Sequence, residues 1–439
     1  MLKLPAGILE HRPMKIPKPL SFALYFSILG MGIGACSDEP APITQQNPPP
    51  KNLPQGCDDF VEPSGKDDTQ AVQSALINAA AGSTVCLGEG NFIFSLSELS
   101  IATDGITLKG AGQDLTLMEF KDLQVGANAI VIKSNDVTVT EFTVKNPPGD
   151  GIRASQVKNI TYQKVSVIWD EAAATSNGAY GLYPVGSQGV RIENCKVQGA
   201  SDAGIYVGQS SNILVTGSEA LGNVAGIEIE NSTDAEVVNN HTHDNTAGIL
   251  VFNLPGLEVQ DGKRANVHDN IIENNNLNNF AKMGTTVARV PPGTGVMILA
   301  SDTNEIHHNT IKNNGSFGVL IFAHLPPLFE TGNDPNFNPY GESNWIHDNT
   351  FTDNGTNPSA DVKLFVPFAP VPDIAWDGCY DGKLDNTTGM YTNCISNNIG
   401  NNAMPATYGR LDFCQQFGMN SIDPVPVTCE HSALPAQNP

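Results

Sequence analysis

The sequence predicts an all-β protein whose architecture is a single-stranded right-handed parallel β-helix of about ten coils. Two repeats predict this fold class. The first is a Gly-hydrophobic-x-hydrophobic quartet, which begins at Gly181, Gly204, Gly226, Gly248, Gly295 and Gly318. Its steps are 23, 22, 22, 47 and 23 residues, so one coil of three short strands takes about 22 residues where no loop is inserted.

The second repeat has the form hydrophobic-x-x-Asn and lies half a coil from the first. It ends at Asn240, Asn270, Asn309 and Asn349, and Cys195 and Ser218 occupy the Asn position in two earlier coils. Stacked Asn side chains can hydrogen-bond from coil to coil at a sharp bend, where unpaired amides would otherwise be buried. The two repeats therefore fix the register of the coils independently.

Three insertions interrupt the repeats, at 254–264, 276–292 and 324–342. The first two explain the 47-residue step, which holds one ordinary coil and two loops. Loops on a rigid scaffold commonly carry function, so these segments are predicted to wall a cleft. The alternative is that they only cover apolar coil surface.

Residues 1–35 resemble a bacterial lipoprotein signal peptide. Lys15 and Lys18 precede a short apolar run that ends in Ile33-Gly-Ala-Cys36, and the run is too short for a transmembrane helix. The resemblance implies that Cys36 is lipidated, and Ser37 after it favours the outer membrane of the bacterial envelope over retention at the inner one. Residues 36–56 are rich in proline and predict a tether.

The solenoid is predicted to span residues 57–359. Residues 67–81 predict a helix that is capped by Thr69, has Ala71, Val72 and Leu76 on its apolar face, and covers the open N-terminal coil. Residues 360–439 lose the repeat and are predicted to cap the far end of the solenoid. A small module that folds by itself is the alternative for this segment.

Eight cysteines are present, and in an oxidising envelope seven remain after the anchor. We expect Cys57 to pair with Cys86, and two disulfides to form among Cys379, Cys394, Cys414 and Cys429 in a pairing that the sequence leaves open. Cys195 falls on the Asn position inside a strand, so it is predicted to stay reduced and buried.

The net charge of −23 restricts the partners. Removing residues 1–35, which hold four Lys or Arg and one Glu, changes it to −26. A surface this acidic repels nucleic acid and anionic headgroups, so no nucleic-acid partner is predicted and membrane contact is expected through the lipid anchor alone. Neutral or cationic ligands are favoured over acidic polysaccharides.

Three strings resemble a family of bacterial exported or lipid-anchored parallel β-helix repeat proteins, which share the pectate-lyase-like fold. They are Asp202-Ala-Gly-Ile-Tyr-Val-Gly-Gln-Ser, Asn223-Val-Ala-Gly-Ile-Glu-Ile-Glu-Asn-Ser and Leu250-Val-Phe-Asn-Leu-Pro-Gly. The family has no established activity, and its members tend to be encoded beside a second exported protein. The resemblance therefore implies fold, location and a co-exported protein partner, but no chemistry.

A shorter string, Val167-Ile-Trp-Asp170, is similar to part of a strand signature of pectate lyases. On this basis Trp169 and Asp170 are candidates for substrate binding. Glu171 stands where that signature has a His, so pectate cleavage is not expected.

The x positions of the quartets are predicted to face outward and to stack from coil to coil at about 4.8 Å. Their polar end predicts a carbohydrate site: Glu228, Glu230, Tyr206 and Asp202 are the catalytic candidates, and Arg153 and Tyr183 are the substrate-binding candidates. Two carboxylates on one strand face have about the separation that inverting glycoside hydrolases use. The alternative is that an acidic protein carries carboxylates on any outer face. The apolar end of the column is expected to be covered by an insertion or by the C-terminal tail.

His268, His307 and His347 occupy one outward position in three successive coils and are predicted as a metal site, with a solvated His ladder as the alternative. No motif assigns a cofactor, and Ca²⁺ and a transition metal are the two candidates. The leading functional hypothesis is an envelope-anchored protein that binds a polysaccharide and cleaves or epimerises it as a lyase, epimerase or glycoside hydrolase. The alternative is a scaffold or metal-binding lipoprotein, without catalysis, that docks a co-exported partner.

Overall fold

Short parallel strands stack coil on coil along the chain and form two long sheets. The computed structural model describes residues 53–439 except 331–333, 367–368, 385–391, 412, 415–420 and 423–428. The predicted signal peptide, Cys36 and nearly all of the predicted tether lie outside the described residues. The strands confirm the predicted parallel β-helix of about ten coils.

The first sheet, called the site sheet below, takes one strand from each coil. Its strands are parallel except for the last, which is antiparallel to its neighbour. They are Ser97–Ile101, Val125–Ile132, Ile152–Ser155, Tyr180–Val185, Ala203–Gly208, Ala225–Glu230, Ala247–Phe252, Thr294–Leu299, Phe317–Phe322, Ile374–Trp376, Tyr408–Arg410 and Ser421–Ile422.

The second sheet, called the ladder sheet, forms the rest of each coil, mostly as two strands with a bend between them. Its strands are Asp59–Val61, Thr84–Leu87, Gly90–Ile93, Thr107–Lys109, Thr116–Glu119, Thr138–Lys145, Lys158–Ile168, Gln188–Glu193, Lys196–Gln198, Ser211–Thr216, Glu219–Leu221, Thr233–Val238, His241–His243, Lys263–His268, Ile271–Glu273, Glu305–His307, Thr310–Lys312, Trp345–His347, Thr350–Thr352 and Cys394–Ser396.

The solenoid core is a continuous stack of β-branched and aromatic side chains. Ile205, Ile227 and Ile249 follow the glycines of successive quartets, pair in register and are fully buried. Each such side chain stabilises the fold by about 1.5–3 kcal/mol through removal of apolar surface from water. The residue after each of them points away from this core, because successive side chains of a strand alternate between its two faces.

The predicted Asn ladder is present at the bend of the ladder sheet. The amide of Asn240 donates to Oδ1 of Asn270 at 3.1 Å, and the pattern continues upward through the next coils. Its members are Ser218, Asn240, Asn270, Asn309, Asn349 and Asn398. The residue before each Asn from 240 onward has a φ of 51–57°, a conformation that Asn and Asp tolerate better than most residues.

A second Asn ladder was not predicted. It occupies the corner that leads into the site sheet, and its side chains are almost fully buried. Its members are Asn223, Asn245, Asn275, Asn314 and Asn354. The two ladders together hold both ends of the short second strand in each of these coils.

The N-terminal end is closed by helix α1 (Thr69–Asn78). Val72 and Leu76 pack into the core as predicted, whereas Ala71 is exposed. Thr69 is the first helical residue and not the cap, because Asp68 occupies the N-cap position. The Asp68 carboxylate instead accepts backbone hydrogen bonds from Ser64 and Ile93, which tie the helix to the first coils.

The C-terminal segment packs on the solenoid and also extends it. Strands of both sheets continue beyond residue 359, the predicted end of the solenoid, and helix α2 (Ala360–Phe365) lies between two site-sheet strands in sequence. The disulfides are Cys57–Cys86, Cys379–Cys414 and Cys394–Cys429, and Cys195 is buried and reduced. These four observations confirm the cysteine predictions. They also give the pairing of the last four cysteines, which the sequence left open.

The last ten residues run back along the outside of the ladder sheet. The backbone amides of Leu434 and Gln437 donate to the carboxylates of Glu305 and Glu236, and Arg191 donates to the carbonyl of Pro439 at 2.7 Å. Across the described ranges, no helix has both the length and the apolar character that a membrane span requires.

Candidate functional site

The predicted column of outward side chains exists on the site sheet. Tyr206 pairs with Glu228, and Glu228 with Leu250, in adjacent parallel strands. Glu230 pairs with Gly208 on one side and with Phe252 on the other. The register therefore brings the catalytic candidates together as predicted.

The carboxylates of this column are buried, which corrects the expectation of an open outer face. Glu228 is 3% exposed, Glu230 is 8% exposed and Asp202 is 9% exposed. Leu254 of the first insertion and Phe280 of the second pack against the hydrophobic cluster that contains Tyr206. A loop that precedes Tyr180 joins them, because Thr175 donates a hydrogen bond to the Phe280 carbonyl at 2.8 Å.

Tyr206 and Glu230 form the central hydrogen bond of the site. The Tyr206 hydroxyl donates to Oε1 of Glu230 in the neighbouring strand at 2.7 Å, and Gly208 is the residue that pairs with Glu230. A Cβ atom at Gly208 would lie 2.2 Å from the Tyr206 hydroxyl oxygen, so the missing side chain makes room for this contact. The glycine is therefore needed for the geometry of the site.

Three carboxyl groups near one another have raised pKa values. Burial raises the pKa of Asp202 to about 8, and the nearby Glu230 contributes. Burial also raises the pKa of Glu230, to about 6, although the hydrogen bond from Tyr206 opposes the shift. The pKa of Glu228 lies well above its usual range because of burial and of the charges of Asp202 and Glu230. Such a set holds a carboxylic acid beside a carboxylate near neutral pH, as acid–base catalysis requires.

Glu228 has a further unusual feature. Its Oε2 atom is buried and has no hydrogen-bond partner among the described residues. Leaving a buried polar atom unpaired costs about 1–3 kcal/mol. An orphaned carboxyl oxygen inside a group of other carboxyls is typical of a site that is completed by a ligand or by substrate.

Three tyrosines form the wall of the site beside the carboxylates. The ring centroid of Tyr180 lies 4.6 Å from that of Tyr183 and 4.5 Å from that of Tyr206. The Arg153 guanidinium lies over the Tyr183 ring, 4.9 Å from its centroid. Tyr180, Tyr183 and Arg153 are half-buried, so the site opens toward the N-terminal coils.

Asp150 and Tyr180 belong to this site and were missed from the sequence. Asp150 is half-buried, accepts a hydrogen bond from the Tyr180 backbone amide at 3.3 Å, and has a pKa raised by burial. The position before each quartet glycine would have indicated Tyr180. In the first quartet this position holds the large polar Tyr180, whereas it holds alanine in the next three quartets.

The apolar end of the column is covered, which confirms the prediction. Leu250, Met297 and Leu320 are at most 2% exposed. Residues from the second and third insertions and from the C-terminal segment pack over them, namely Ala281, Val287, Val290, Phe329, Val362, Val366 and Leu411. The second and third insertions therefore cover apolar coil surface.

The structure does not bring Trp169 and Asp170, the other predicted substrate-binding residues, to the carboxylate site. Trp169 is 3% exposed, packs in the solenoid core and donates its indole N–H to the Pro147 carbonyl at 2.8 Å. Asp170 is exposed and pairs with Lys145 at 2.8 Å. The tryptophan fills the core where the chain turns from the ladder sheet into the loop before Tyr180.

The predicted histidine column is present as a stack of imidazole rings. The ring centroids of His268 and His307 are 4.7 Å apart, those of His307 and His347 are 5.0 Å apart, and the planes are parallel within 7°. Parallel stacked rings point their nitrogens in the same direction, whereas a tetrahedral zinc site needs nitrogens that converge on one point. These three rings as they stand do not form a metal site.

Two other groups could hold a metal after small side-chain adjustments. Glu305, His307 and His347 form one group, and Glu219, His241 and His243 form the other, each with ligand atoms within 4.8 Å of one another. In the first group Nε2 of His347 lies 3.0 Å from Glu305. The second group has Lys196 bound to Glu219 at 2.8 Å, which makes it less suited to a cation.

Residues 128–276 match the family model described as a right handed beta helix region. The matched range includes the site and the quartets at Gly181, Gly204, Gly226 and Gly248. The chain has the right-handed parallel β-helix fold. No curated protein sequence matches it.

Solved structures with the same fold include enzymes that act on polysaccharides. The β-helix is similar to the mannuronan C-5 epimerase AlgE4 A-module of Azotobacter vinelandii, with 15% identity, 76% of this chain and 91% of that one covered, and a TM-score of 0.52. It is also similar to the polygalacturonase from Erwinia carotovora ssp. carotovora, with 14% identity, 80% and 94% covered, and a TM-score of 0.52.

A third structure with this fold has a title that names no enzyme. It is the surface protein and adhesin PfbA of Streptococcus pneumoniae, with 12% identity, 77% and 89% of the two chains covered, and a TM-score of 0.51. At these identities the likeness shows the fold of the β-helix alone.

Proposed function

We propose that this β-helix protein binds a polysaccharide at the carboxylate–tyrosine site and catalyses acid–base chemistry on it, by cleavage or epimerisation. The observation that carries the proposal is the cluster of buried carboxyl groups with raised pKa values, in which Glu228 has an unpaired oxygen. The fold it shares with an epimerase and a polygalacturonase agrees with a glycan partner.

Glu228 and Glu230 are assigned the proton transfers. Glu228 is the general acid, because its raised pKa keeps it protonated at neutral pH. Glu230 is the general base, since a pKa of about 6 leaves it ionised above that pH and its bond from Tyr206 fixes its orientation. Their Cα atoms lie two residues apart on one strand, about 6.5–7 Å, near the carboxylate separation of inverting glycoside hydrolases.

The half-buried residues at the open end are assigned to substrate binding. Tyr180 and Tyr183 offer aromatic faces on which a sugar ring can stack. Arg153 lies beside them and can stabilise negative charge that develops on the sugar or hold a carboxylate. In a chain with a net charge of −23, one arginine beside several carboxyls favours a neutral glycan over a polyanion.

Turnover of a panel of neutral and acidic polysaccharides by the purified protein tests this proposal. We expect Glu228→Gln and Glu230→Gln each to reduce kcat by at least about 100-fold, the usual contribution of a positioned acid or base. Glu89→Gln, an exposed carboxylate in an early coil, is the matched control and should retain full activity. Full activity in both site variants would remove them from the mechanism.

Binding without turnover is the second candidate function, favoured by the burial of the carboxylates, which restricts the access of a polymer to them. In this form the protein is a scaffold that docks a co-exported protein partner. Glycan binding that depends on Tyr183, or a stoichiometric protein partner, with no product from any polysaccharide would support it. A thermal shift on adding Zn²⁺ that disappears with EDTA and in His307→Ala would support a metal-binding form.

We further propose that Cys36 carries a lipid that holds the protein at the outer membrane. The support is the resemblance of residues 1–36 to a lipoprotein signal. Cys36→Ser should move the protein from the outer-membrane fraction to the soluble fraction and remove the mass of the acyl chains. Unchanged fractionation and mass in this variant would contradict the proposal.

A further inference from the structure

An apolar cavity of about 410 Å³ lies on the C-terminal half of the site sheet. Its floor is formed by outward side chains of two coils, Met297, Leu320 and Phe322, and its walls come from the second insertion, the third insertion and the C-terminal segment. Ligand sites in proteins commonly have volumes of about 300–1,000 Å³ and a mostly apolar lining. A cavity of about 150 Å³ already holds one benzene, so this one has room for a considerably larger apolar group.

The cavity mouth carries the two most exposed large apolar side chains of the described chain. Met283 is 90% exposed and Leu364 is 78% exposed, and both line the cavity. A single exposed apolar residue needs no explanation, but two that flank the entrance of an apolar cavity extend its surface outward. A ligand with a long apolar tail would cover them.

The mouth also carries an arginine that has no other evident role. Arg289 is exposed and lines the cavity, and its guanidinium makes no hydrogen bond or ion pair with any of the described residues. By contrast, Arg153, Arg191 and Arg264 each bind a neighbouring side chain. In a chain with a net charge of −23, a free guanidinium at a cavity mouth is suited to an anionic group.

The mouth contains one acidic residue, Asp361, whose position in the fold accounts for it. It lies in the first turn of helix α2, where a carboxylate interacts favourably with the free backbone N–H groups. It is exposed, so its effect on a ligand is screened by water and salt. Arg289 is therefore the charged residue at the mouth with which an anionic ligand would pair.

We infer that this cavity binds a long-chain fatty acid, with the hydrocarbon tail among Met297, Leu320 and Phe322 and the carboxylate at Arg289. An anionic amphiphile matches both features, an apolar interior and the unpaired Arg289 guanidinium at the entrance. The concave shape favours a single chain over a flat membrane surface. The site is separate from the carboxylate–tyrosine cluster, so it does not depend on the proposed glycan chemistry.

Equilibrium dialysis of the full-length protein with radiolabelled palmitate tests the inference, with hexadecanol as the neutral ligand of the same chain length. We expect saturable binding of one palmitate and weaker binding of the alcohol. Arg289→Gln should reduce palmitate affinity about tenfold or more and leave hexadecanol affinity unchanged, because one charge-assisted hydrogen bond is lost. Asp361→Asn should change palmitate affinity much less than Arg289→Gln, because the exposed Asp361 carboxylate is screened by water and salt.

Two variants of exposed residues keep the test independent of folding. Leu364→Asp at the cavity mouth should weaken both ligands about tenfold, whereas Ile77→Asp, an equally exposed apolar residue on helix α1, should weaken neither. No saturable palmitate binding by the wild-type protein would overturn the inference. The inference would also be overturned if Arg289→Gln and Leu364→Asp both left palmitate affinity unchanged. Binding to phosphatidylglycerol vesicles that palmitate does not inhibit would overturn it as well. Loss of glycan turnover in Glu228→Gln with palmitate binding intact would separate the two sites.

Discussion

At the scale of single residues, the carboxyl groups of the candidate site lower the stability of the fold near neutral pH. A carboxyl whose folded pKa is raised binds its proton more tightly in the folded state than in the unfolded state. Its contribution to stability is complete below the unfolded pKa, near 4–4.5, and is lost as the pH rises through the folded pKa. For Asp202, with a folded pKa of about 8, this loss extends over roughly pH 4–8.

Glu228 gives the clearest test of this pH dependence. Its folded pKa lies well above 4.5, and its Oε2 atom is unpaired. Glu228→Gln cannot ionise, so at pH 8 it should be more stable than wild type, because it removes the free-energy cost of a carboxyl group whose pKa is raised in the folded state. The difference should shrink toward pH 4. Urea unfolding at pH 4, 6 and 8 measures it, and a difference that is the same at all three values would contradict the assignment. Glu89→Gln is the control.

The pKa of His347 is also raised, but here the neighbouring carboxylates favour the charged form of the side chain. Burial opposes the charged imidazole, but hydrogen bonds to Glu305 and Asp348 outweigh it and raise the pKa of His347 above 6.5. The pKa of Glu305 is lowered, because the bonds from His347 and Leu434 outweigh burial. The interaction between His347 and Glu305 therefore stabilises the fold fully between about pH 4.5 and 6.5. This stabilisation is lost as the pH rises through the raised pKa of His347.

His347→Gln should be less stable than wild type by about 1–3 kcal/mol at pH 6, since a buried charge-assisted bond is lost. The difference in stability between His347→Gln and wild type should narrow as the pH rises from 6 to 9. Thermal unfolding across that range measures it. In the neighbouring ring, burial lowers the pKa of His307 to about 4, so His307→Gln should show no such change between pH 6 and 9. A gap for His347→Gln that widens with pH would be the opposite of this expectation.

At the scale of elements, the Asn ladders connect one coil to the next. The Asn270 side chain accepts from the Asn240 backbone and amide, and donates to the Val237 carbonyl and to Asn309. It is 1% exposed, so water cannot replace these bonds. Asn270→Ala should lower the free energy of unfolding by about 2–4 kcal/mol, because it leaves several buried polar groups unpaired.

Urea unfolding measures the effect of Asn270→Ala against Asn91→Ala as control. Asn91 lies in a strand, is exposed, and its replacement should change stability by less than about 0.5 kcal/mol. Equal effects of the two substitutions would mean that the ladder adds little to stability. A large loss of stability in Asn270→Ala alone would show that the hydrogen bonds at the bend, and not only the apolar core, stabilise the coil.

At the scale of the whole molecule, the net charge of −23 acts against the compact state through self-repulsion. Raising NaCl from about 10 to 200 mM shortens the Debye length from about 30 to under 8 Å, so it should increase Tm at pH 7.5 by several degrees. At pH 4.6, near the pI of about 4.6, the same salt step should change Tm little. A salt effect of equal size at both pH values would indicate that repulsion is not its cause.

The sequence alone determined the architecture, because a parallel β-helix repeats its interactions at a fixed spacing. The quartets set the coil, and Asn240, Asn270, Asn309 and Asn349 set the bend, in the order that the structure shows. Disulfide partners followed partly from composition, with Cys195 excluded by its place in the repeat. The stacking of Tyr206, Glu228 and Leu250 followed from the same register.

Only the tertiary structure decided which of these side chains water can reach. Glu228 and Glu230 were expected on an open face, but they are 3% and 8% exposed. Trp169 lies in the core and Asp150 joins the site, because loop paths outside the repeat bring them there. A repeat specifies local spacing, whereas the burial that shifts a pKa or encloses a cavity depends on irregular segments, whose placement has no period in the sequence.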